Sequence, residues 1–293
     1  MLIDRISTDL PDRPPLANLP WTRRPPPAYP QRLMFDTHCH LTFDCFDGKV
    51  DRVLADAKAA GVRGCISIAT TTDGLPKLTA LADTHPEIWF SSGIHPLYSD
   101  RAIDWDAMLL AARHPKCVAW GELGLDHHYD QPDRGLQRQV LEEQLAKIES
   151  WSSEGLQKPV VIHCRKAFED LLPVLHASSL PNDRFVFHCF TGDQANARAV
   201  LDFGGWISFT GIVTFANAAE VAAASDLVPD DRIMVETDAP FLTPEPHRTT
   251  RPNEPKFVGC TAAFLATRRG RAPEAFESLL DQNAARFFDI DIP

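Results

Sequence analysis

Four histidines and two acids of this sequence each lie at or beside the end of a short apolar segment. Imidazole and carboxylate groups are common protein ligands of divalent cations such as zinc, manganese and magnesium. If the fold brings the six side chains together, the chemistry that they suggest is hydrolysis at a metal centre. In chain order they are His38, His40, Glu122, His163, His188 and Asp238.

The apolar segments are predicted to be β-strands, because they are short, rich in β-branched and aromatic residues, and alternate with stretches of helical period. The predicted strands are 33–38, 64–69, 88–93, 117–122, 159–164, 184–189, 206–211 and 232–238. Helices are predicted between them, among others at 49–60, 103–113, 136–153, 168–177, 194–203 and 216–225.

Strands separated by helices pair in parallel through right-handed crossovers. Eight such units over about 250 residues are typical of a TIM (β/α)₈ barrel. The alternative is a doubly wound open sheet, which would usually have a glycine-rich nucleotide loop after its first strand. DTHCHL occupies that place instead, so the barrel is favoured.

In a barrel, the C-terminal ends of all eight strands surround one mouth, where the active sites of this fold are found. A single histidine in an apolar strand is usually a core residue. Six imidazoles and carboxylates buried together without a cation would leave unpaired polar groups and repelling charges, at a cost of roughly several kcal/mol. Convergence at the mouth therefore predicts a metal site there.

Strand geometry separates the histidines from the neighbouring cysteines, since residues i and i+2 share a face of a strand. His38 and His40 are expected to point into the mouth together. Cysteines 39, 164 and 189 each follow an inward-facing histidine, so they are expected to face the helical layer as packing residues and not as ligands. Four imidazoles and two carboxylates exceed one tetrahedral zinc site and suit two divalent ions that share a carboxylate.

Composition restricts the protein class further. The 293 residues carry a formal charge of −11, which argues against non-specific adhesion to polyanions or to anionic membranes. Seven cysteines without a CxxC pair favour a reducing cytoplasm. Residues 1–32 contain eight prolines and are predicted to be an irregular extension, with a polyproline ligand at 24–27 as the alternative, ahead of a barrel domain at 33–293.

Eight motifs, in order from Phe35 to the C-terminus, give the sequence a specific resemblance to the TatD family of metal-dependent deoxyribonucleases, within the amidohydrolase superfamily. The motifs are DTHCHL, GIHP (93–96), GELGLDHHYD (121–130), PVVIHCRKAFEDLL (159–172), FHCFTGD (187–193), ISFTGIVTFAN (207–217), ETDAPFLTPEP (236–246) and RPNEP (251–255). The resemblance implies a TIM barrel with a divalent metal centre of magnesium, manganese or zinc. It also implies phosphodiesterase activity, typically as a 3′–5′ exonuclease on DNA and sometimes RNA.

Carried over by position, the resemblance also implies residue roles. The first metal would be bound by His38, His40 and Asp238, the second by His163 and His188, with Glu122 bridging. Asp238 would lie beside the nucleophilic water, which makes it the candidate general base, and Glu122 completes the catalytic pair. His95 lies by the substrate in the resembling family, so it would contact a phosphate or orient a ligand here, and the alternative is that it caps its own loop.

Three further expectations come from the residues. Arg165 shares a face with His163 and could contact a phosphate, with a surface salt bridge as the alternative. Glu236 and Asp126 are candidates for orienting the ligands. Basic residues around RPNEP, at positions 248, 251 and 256, could steer a nucleic acid strand, or could simply be solvated.

The ligand set leaves three functions open. The first is a nuclease acting on DNA, with RNA as a further substrate, and without a membrane or an obligate protein partner. The second is a dinuclear ester or amide hydrolase, for instance one acting on an aminoacyl-tRNA ester or a cyclic amide. The third is a non-catalytic metal-binding scaffold, against which the completeness of the six-residue set argues.

Overall fold

The computed structural model describes residues 34–292, so the predicted irregular extension at 1–32 lies outside the described residues. Eight parallel strands follow one another around a single sheet in chain order. They are β1 Met34–Cys39, β2 Val62–Ser67, β3 Ile88–Ser92, β4 Cys117–Asp126, β5 Val160–Arg165, β6 Phe185–Phe187, β7 Trp206–Phe209 and β8 Ile233–Val235. All eight predicted strands are confirmed.

Helices separate the strands and form the outer layer. They are α1 Val50–Ala59, α2 Leu75–Thr84, α3 Trp105–Ala112, α4 Arg134–Ser153, α5 Phe168–Ala177, α6 Gln194–Phe203, α7 Ala219–Ser225, α8 Val258–Arg268 and α9 Pro273–Phe288. The six helices named from the sequence are present, and α2, α8 and α9 are added to them. None of the helices in residues 34–292 is long and apolar enough to cross a bilayer.

The sheet closes where β8 returns to β1. A parallel bridge joins Cys39 to Ala239, and the His40 N–H donates to the Ala239 carbonyl at 2.7 Å. The Asp238 N–H donates to the His38 carbonyl at 2.9 Å. The predicted TIM barrel is therefore confirmed, and its closing seam passes directly through three of the residues predicted to bind metal.

Two apolar cores support the barrel. The larger one lies between the strands and the helices, and includes Trp120, Phe90 and Phe209. The smaller one takes residues from the strands around the whole sheet, such as Phe35 and Met234, so it fills the barrel interior. The last turns of α9 contribute two phenylalanines to that interior core and close the end of the barrel opposite the predicted mouth.

Helix ends follow from the sequence in the usual way. At the start of α6, the Asp193 carboxylate accepts a hydrogen bond from the Asn196 N–H while the Asn196 side chain accepts one from the Asp193 N–H, a capping box. The same helix ends at Gly204, whose φ of 100° suits a residue without a Cβ. Local signals of this kind explain why the bounds of α6 match the prediction.

The strand ends differ from their predicted positions by one to four residues, and the differences at β4, β6 and β8 affect the predicted ligands. β4 continues to Asp126, four residues beyond the predicted end at Glu122, because its pairing with β5 resumes after a register shift between Trp120 and Leu123. β6 ends before His188, and β8 ends three residues before Asp238. The last two side chains therefore project from the first residues of loops at the mouth.

Candidate metal centre

The ends of β1 and β8 bring three of the six predicted side chains together. The Nε2 atoms of His38 and His40 lie 3.3 Å apart. Asp238 Oδ1 lies 3.3 Å from His40 Nε2 and 3.7 Å from His38 Nε2. All potential ligand atoms of this group fall within 4.8 Å of one another, which is the arrangement expected around one cation.

Glu122 lies between the two pairs of histidines and turns one oxygen toward each pair. Its Oε2 lies 3.4 Å from His38 Nε2 and 3.9 Å from His40 Nε2. Its Oε1 lies 2.6 Å from both His163 Nδ1 and His188 Nε2. The structure therefore brings all six predicted side chains to one place, with Glu122 at its centre.

Alternation along β1 and β5 explains why the histidines share the site. Cys39 and Cys164 belong to the outer core, as expected for residues between or after inward-facing histidines. Cys189 differs from the expectation of a packing residue in the helical layer. It lies beyond the end of β6 with a φ of 44°, and its Sγ lies 3.7 Å from Thr210 Oγ1. The alternation rule fails there because the left-handed turn ends the extended backbone.

Close packing of β3, β4 and β5 fixes the backbone on both sides of Glu122. Gly121 and Gly124 have φ values of 124° and 148°, in the region where L side chains are strained. A Cβ on Gly121 would lie 2.6 Å from the Val161 carbonyl oxygen, and one on Gly124 would overlap the His163 carbonyl oxygen. The GELG sequence thus lets the strand that carries Glu122 approach the strand that carries His163.

Replacement of Gly124 by alanine is expected to destabilise the fold by at least about 3 kcal/mol, through backbone strain combined with overlap against β5. Gly155 is a matched control, because its φ is 99° but an added Cβ would meet nothing within 4 Å. Gly155→Ala should cost only about 1–2 kcal/mol. Urea unfolding of both variants measures the difference, and equal shifts in the unfolding midpoint would show that the close approach is unimportant.

Burial and charge act in opposite directions on the central groups. Burial raises the pKa of Glu122, but the neighbouring histidines His188, His95 and His163 more than offset it and hold that pKa well below its usual range. Burial also raises the pKa of Asp238, and the contact with His40 and the charges of nearby imidazoles lower it overall. Both carboxylates are therefore ionised at neutral pH, as metal ligands must be.

Two further acids hold the histidines on the second side of the site. Asp126 Oδ2 lies 3.0 Å from His163 Nε2. Glu236 Oε1 lies 3.3 Å from His188 Nδ1 and accepts a hydrogen bond from the Cys189 N–H at 2.6 Å. Each imidazole thus has one nitrogen toward Glu122 and the other toward a buried carboxylate, which fixes the orientation of the ring.

The Glu236→Gln variant is expected to lose about 10- to 100-fold in metal affinity or activity, because the amide keeps the size of the side chain but removes the charge that faces His188. The other oxygen of Glu236 accepts a hydrogen bond from the Ser208 hydroxyl at 2.6 Å, which fixes the position of the carboxylate. Metal titration and turnover are compared with those of Glu220→Gln, an exposed acid of α7. Wild-type values in both variants would contradict this role.

His95 reaches the same centre from the loop after β3. Its Nε2 lies 3.3 Å from Glu122 Oε1, and its Nδ1 accepts a hydrogen bond from the Leu97 N–H at 3.0 Å. Because Nδ1 is an acceptor, the neutral ring carries its proton on Nε2. His95 can therefore donate a hydrogen bond into the site, whereas an Nε2 that holds a proton cannot bind a cation.

Arg165 lies at the rim, where its guanidinium is 5.3 Å from the centre of the Tyr129 ring. It also helps to lower the pKa of Asp126, so its charge acts on the second side of the site. The predicted basic lip is only partly available, because Lys256 pairs with Asp56 at 3.1 Å and with Glu254 at 2.7 Å.

Comparisons with known proteins decide the family. A model of the TatD related DNase family matches residues 35–289. The chain belongs to the TatD family. Among its relatives, the metal-dependent hydrolase YcfH of Escherichia coli K12 is 38% identical over 261 residues, which cover 88% of this chain and 96% of YcfH.

Two further comparisons are with a relative whose name gives an activity and with a solved structure. The 3′-5′ ssDNA/RNA exonuclease TatD of Salmonella typhimurium is 32% identical over 265 residues, covering 88% of this chain and 99% of that protein. The crystal structure of YJJV, a TatD homologue from E. coli K12, superposes with a TM-score of 0.80 at 28% identity and covers 88% of this chain and 98% of that one. This chain is a metal-dependent hydrolase.

The donor set of this TatD-family chain fits divalent cations. His40 Nδ1 lies 3.3 Å from the Ile68 carbonyl oxygen, so a neutral His40 ring carries its proton there and leaves no proton on Nε2 for the nearby acids. The Nε2 atoms of His38 and His40 lie only 3.3 Å apart. A cation between them instead satisfies the lone pairs of both nitrogens and the negative charge of the acids. Six candidate ligands are more than one tetrahedral ion requires.

Asp36 is a structural contributor that the sequence did not reveal, although it begins the DTHCHL motif. Its carboxyl group accepts hydrogen bonds from the N–H and the hydroxyl of Thr237 at 2.9 and 2.5 Å. Burial raises the pKa of Asp36 to about 8. It joins β1 to the loop after β8, so it holds His38 and Asp238 at the closing seam.

Proposed function

We propose that this TatD-family protein hydrolyses phosphodiester bonds of single-stranded DNA, and of RNA, as a 3′–5′ exonuclease with a dinuclear metal centre. The first ion is assigned to His38, His40 and Asp238, and the second to His163 and His188. Glu122 would contribute one oxygen to each ion. Magnesium, manganese and zinc all suit a set that combines imidazole nitrogens with carboxylate oxygens.

The position of Glu122 is the main support for two ions. Its two oxygens face different histidine pairs, with Oε1 2.6 Å from the His163 and His188 nitrogens and Oε2 3.4 Å from His38. A carboxylate that served one ion would not need to turn its second oxygen toward another pair of imidazoles. The arrangement is the one that a bridging ligand requires.

When bound, two divalent ions acidify a water molecule and polarise a phosphoryl oxygen. Asp238 is ionised and partly accessible at the mouth, so it is the group placed to accept the proton of the attacking water. The guanidinium of Arg165 can donate hydrogen bonds to the phosphate at the rim, and the Nε2–H of His95 can do so by exchanging its contact with Glu122 Oε1, which lies 3.3 Å away. These two side chains are therefore assigned to substrate binding.

Nucleic acid is favoured as the substrate because relatives of this chain that are 31–32% identical to it are named as 3′-5′ ssDNA/RNA exonucleases. The rim of the site also combines basic and aromatic groups. Arg165 lies against Tyr129, and Arg101 lies 4.5 Å from the centre of the Tyr98 ring, in the loop that begins with His95. Such pairs suit a phosphate backbone with exposed bases.

End-labelled oligonucleotides test the proposal directly. Purified protein is incubated with single-stranded DNA labelled at the 5′ or the 3′ end, with magnesium, manganese or zinc. The expected result is a ladder of shortened products from the 5′-labelled strand and immediate release of a labelled mononucleotide from the 3′-labelled strand. A chelator should abolish both.

The same preparation is assayed on an aminoacyl ester and on a cyclic amide. Metal-dependent hydrolysis of either, without shortening of DNA or RNA, would replace the nuclease by the ester or amide hydrolase. Metal binding without turnover of any of these substrates would favour a non-catalytic scaffold.

A further inference from the structure

Two partly exposed phenylalanines lie immediately beside the first metal group. Phe43 follows β1, and its N–H donates to the His40 carbonyl at 3.2 Å. Phe241 follows β8, and its N–H donates to the Asp238 carbonyl at 2.9 Å. Each ring is thus attached by a tight turn to a residue that we assign as a metal ligand.

The two rings form one aromatic corner with His40. Phe43 is stacked on the His40 imidazole, with ring centres 4.8 Å apart and planes inclined by 22°. Phe241 meets Phe43 edge to face, with centres 6.0 Å apart and an interplanar angle of 76°. We call Phe43 and Phe241 the aromatic corner.

The loop that carries Phe241 is held in place by the RPNEP segment. Asn253 is fully buried, and its Nδ2 donates to the Phe241 carbonyl at 2.5 Å and to the Thr237 carbonyl at 2.9 Å. The Asn253 N–H in turn donates to the Pro240 carbonyl at 2.9 Å. The backbone that carries Phe241 is therefore held in place, and the Phe241 ring packs edge to face against the rings of Phe43 and His40.

We propose that the aromatic corner receives the base of the nucleotide at the scissile phosphate, by stacking and without base-specific hydrogen bonds. This inference rests on the nuclease function proposed above. A base is joined to its phosphate through one sugar, so a phosphate at Asp238 and His40 brings a flanking base within reach of rings that contact those residues. Every base has an aromatic face, so stacking tolerates any sequence.

The chemistry of the surroundings favours a base over other occupants. Partly exposed apolar rings beside a charged centre leave apolar surface in water, and stacking with a base removes that surface. A base that is paired in a duplex has its faces covered by its neighbours in the stack. The aromatic corner therefore selects single-stranded ends.

The test compares three substrates with wild type, Phe43→Ala, Phe241→Ala and the double variant. The substrates are a single-stranded oligonucleotide, the same oligonucleotide with an abasic 3′-terminal nucleotide, and methyl 4-nitrophenyl phosphate, which has no base or sugar. Leu110→Ala is the control, because Leu110 is 73% exposed on α3 and is not part of the site. Metal content and thermal unfolding of each variant are measured in parallel.

In the wild type, removal of the terminal base should raise KM about tenfold, within the range expected for one base stacked on an aromatic ring. In the double variant, KM for the normal oligonucleotide should rise by about the same factor. The double variant should therefore have the same KM for the abasic strand as for the normal strand. Turnover of methyl 4-nitrophenyl phosphate and metal content should stay at the wild-type level. That pattern supports stacking.

Two outcomes overturn the proposal. If the variants bind abasic and normal strands with the same preference as the wild type, the rings do not contact the base. If metal content and hydrolysis of methyl 4-nitrophenyl phosphate fall together with DNA cleavage, the rings only support His40. Failure of the wild type to cut any oligonucleotide, while it hydrolyses the small phosphodiester, would instead refute the nuclease function itself and this inference with it.

Discussion

Asp238→Asn is expected to lower kcat on single-stranded DNA by on the order of 10³-fold or more, because it removes a general base and a ligand at once. The amide has the size of the carboxylate but cannot accept a proton at neutral pH. It also withdraws the negative charge that lies 3.3 Å from His40 Nε2. Steady-state rates at saturating metal and saturating DNA measure the loss.

The matched control for this variant is Asp202→Asn, which makes the same chemical change at an exposed aspartate of α6. It should retain wild-type activity. Metal-independent loss of label that is equal in wild type and Asp238→Asn would reveal a contaminating nuclease. Full activity of a pure Asp238→Asn protein would exclude Asp238 as the base.

Removal of Glu122 should have the second large effect, the loss of both ions. Its Oε1 and Oε2 face opposite histidine pairs, so Glu122→Ala would take one proposed ligand from each ion and remove the negative charge that offsets the repulsion between the two cations. The loss of metal affinity should exceed the about 100-fold that follows from removing a hydrogen-bond partner of a ligand. Metal content per chain is measured after dialysis against buffer of low free metal.

His163→Ala provides the informative comparison, because this side chain is assigned to the second ion alone. One ion per chain should remain in His163→Ala, and fewer than one in Glu122→Ala. Glu220→Ala, on the outer surface of α7, should keep the wild-type content. Loss of the same single ion in Glu122→Ala and His163→Ala would contradict a bridging role for Glu122.

The fold and the set of converging side chains were accessible from the sequence because they depend on periodic and local signals. Apolar runs that alternate with helical stretches define eight units, and parallel strands must place their C-terminal ends at one mouth. The i, i+2 spacing of His38 and His40 places both on one face, and the structure confirms that Cys39 turns away from them. None of this required knowledge of long-range contacts.

The finer organisation of the site depends on contacts between residues far apart in the chain. Which oxygen of Glu122 faces which histidine pair is decided by the register between β4 and β5, and that register shifts beside Glu122 itself. The proton position on His95 depends on the Leu97 N–H in the turn that follows it. Phe43 and Phe241 are 198 positions apart, and only closure of β8 on β1 makes them neighbours.

The same difference between local signals and long-range contacts explains the predictions for Cys189 and Lys256 that the structure does not support. Strand alternation places Cys189 in the helical layer only if β6 continues to Cys189, but β6 ends two residues earlier, at Phe187, and Cys189 adopts a left-handed conformation that the sequence does not indicate. Lys256 was counted toward a basic lip, but its charge is used by two acids that α1 and the loop after β8 bring to it. By itself the sequence determined the barrel and the chemical types at its mouth, because periodicity and composition are local properties. Only the tertiary structure decided which side chains contact one another. Hydrogen bonds and charges act through space, and the separation of two segments along the chain does not predict the distance between them.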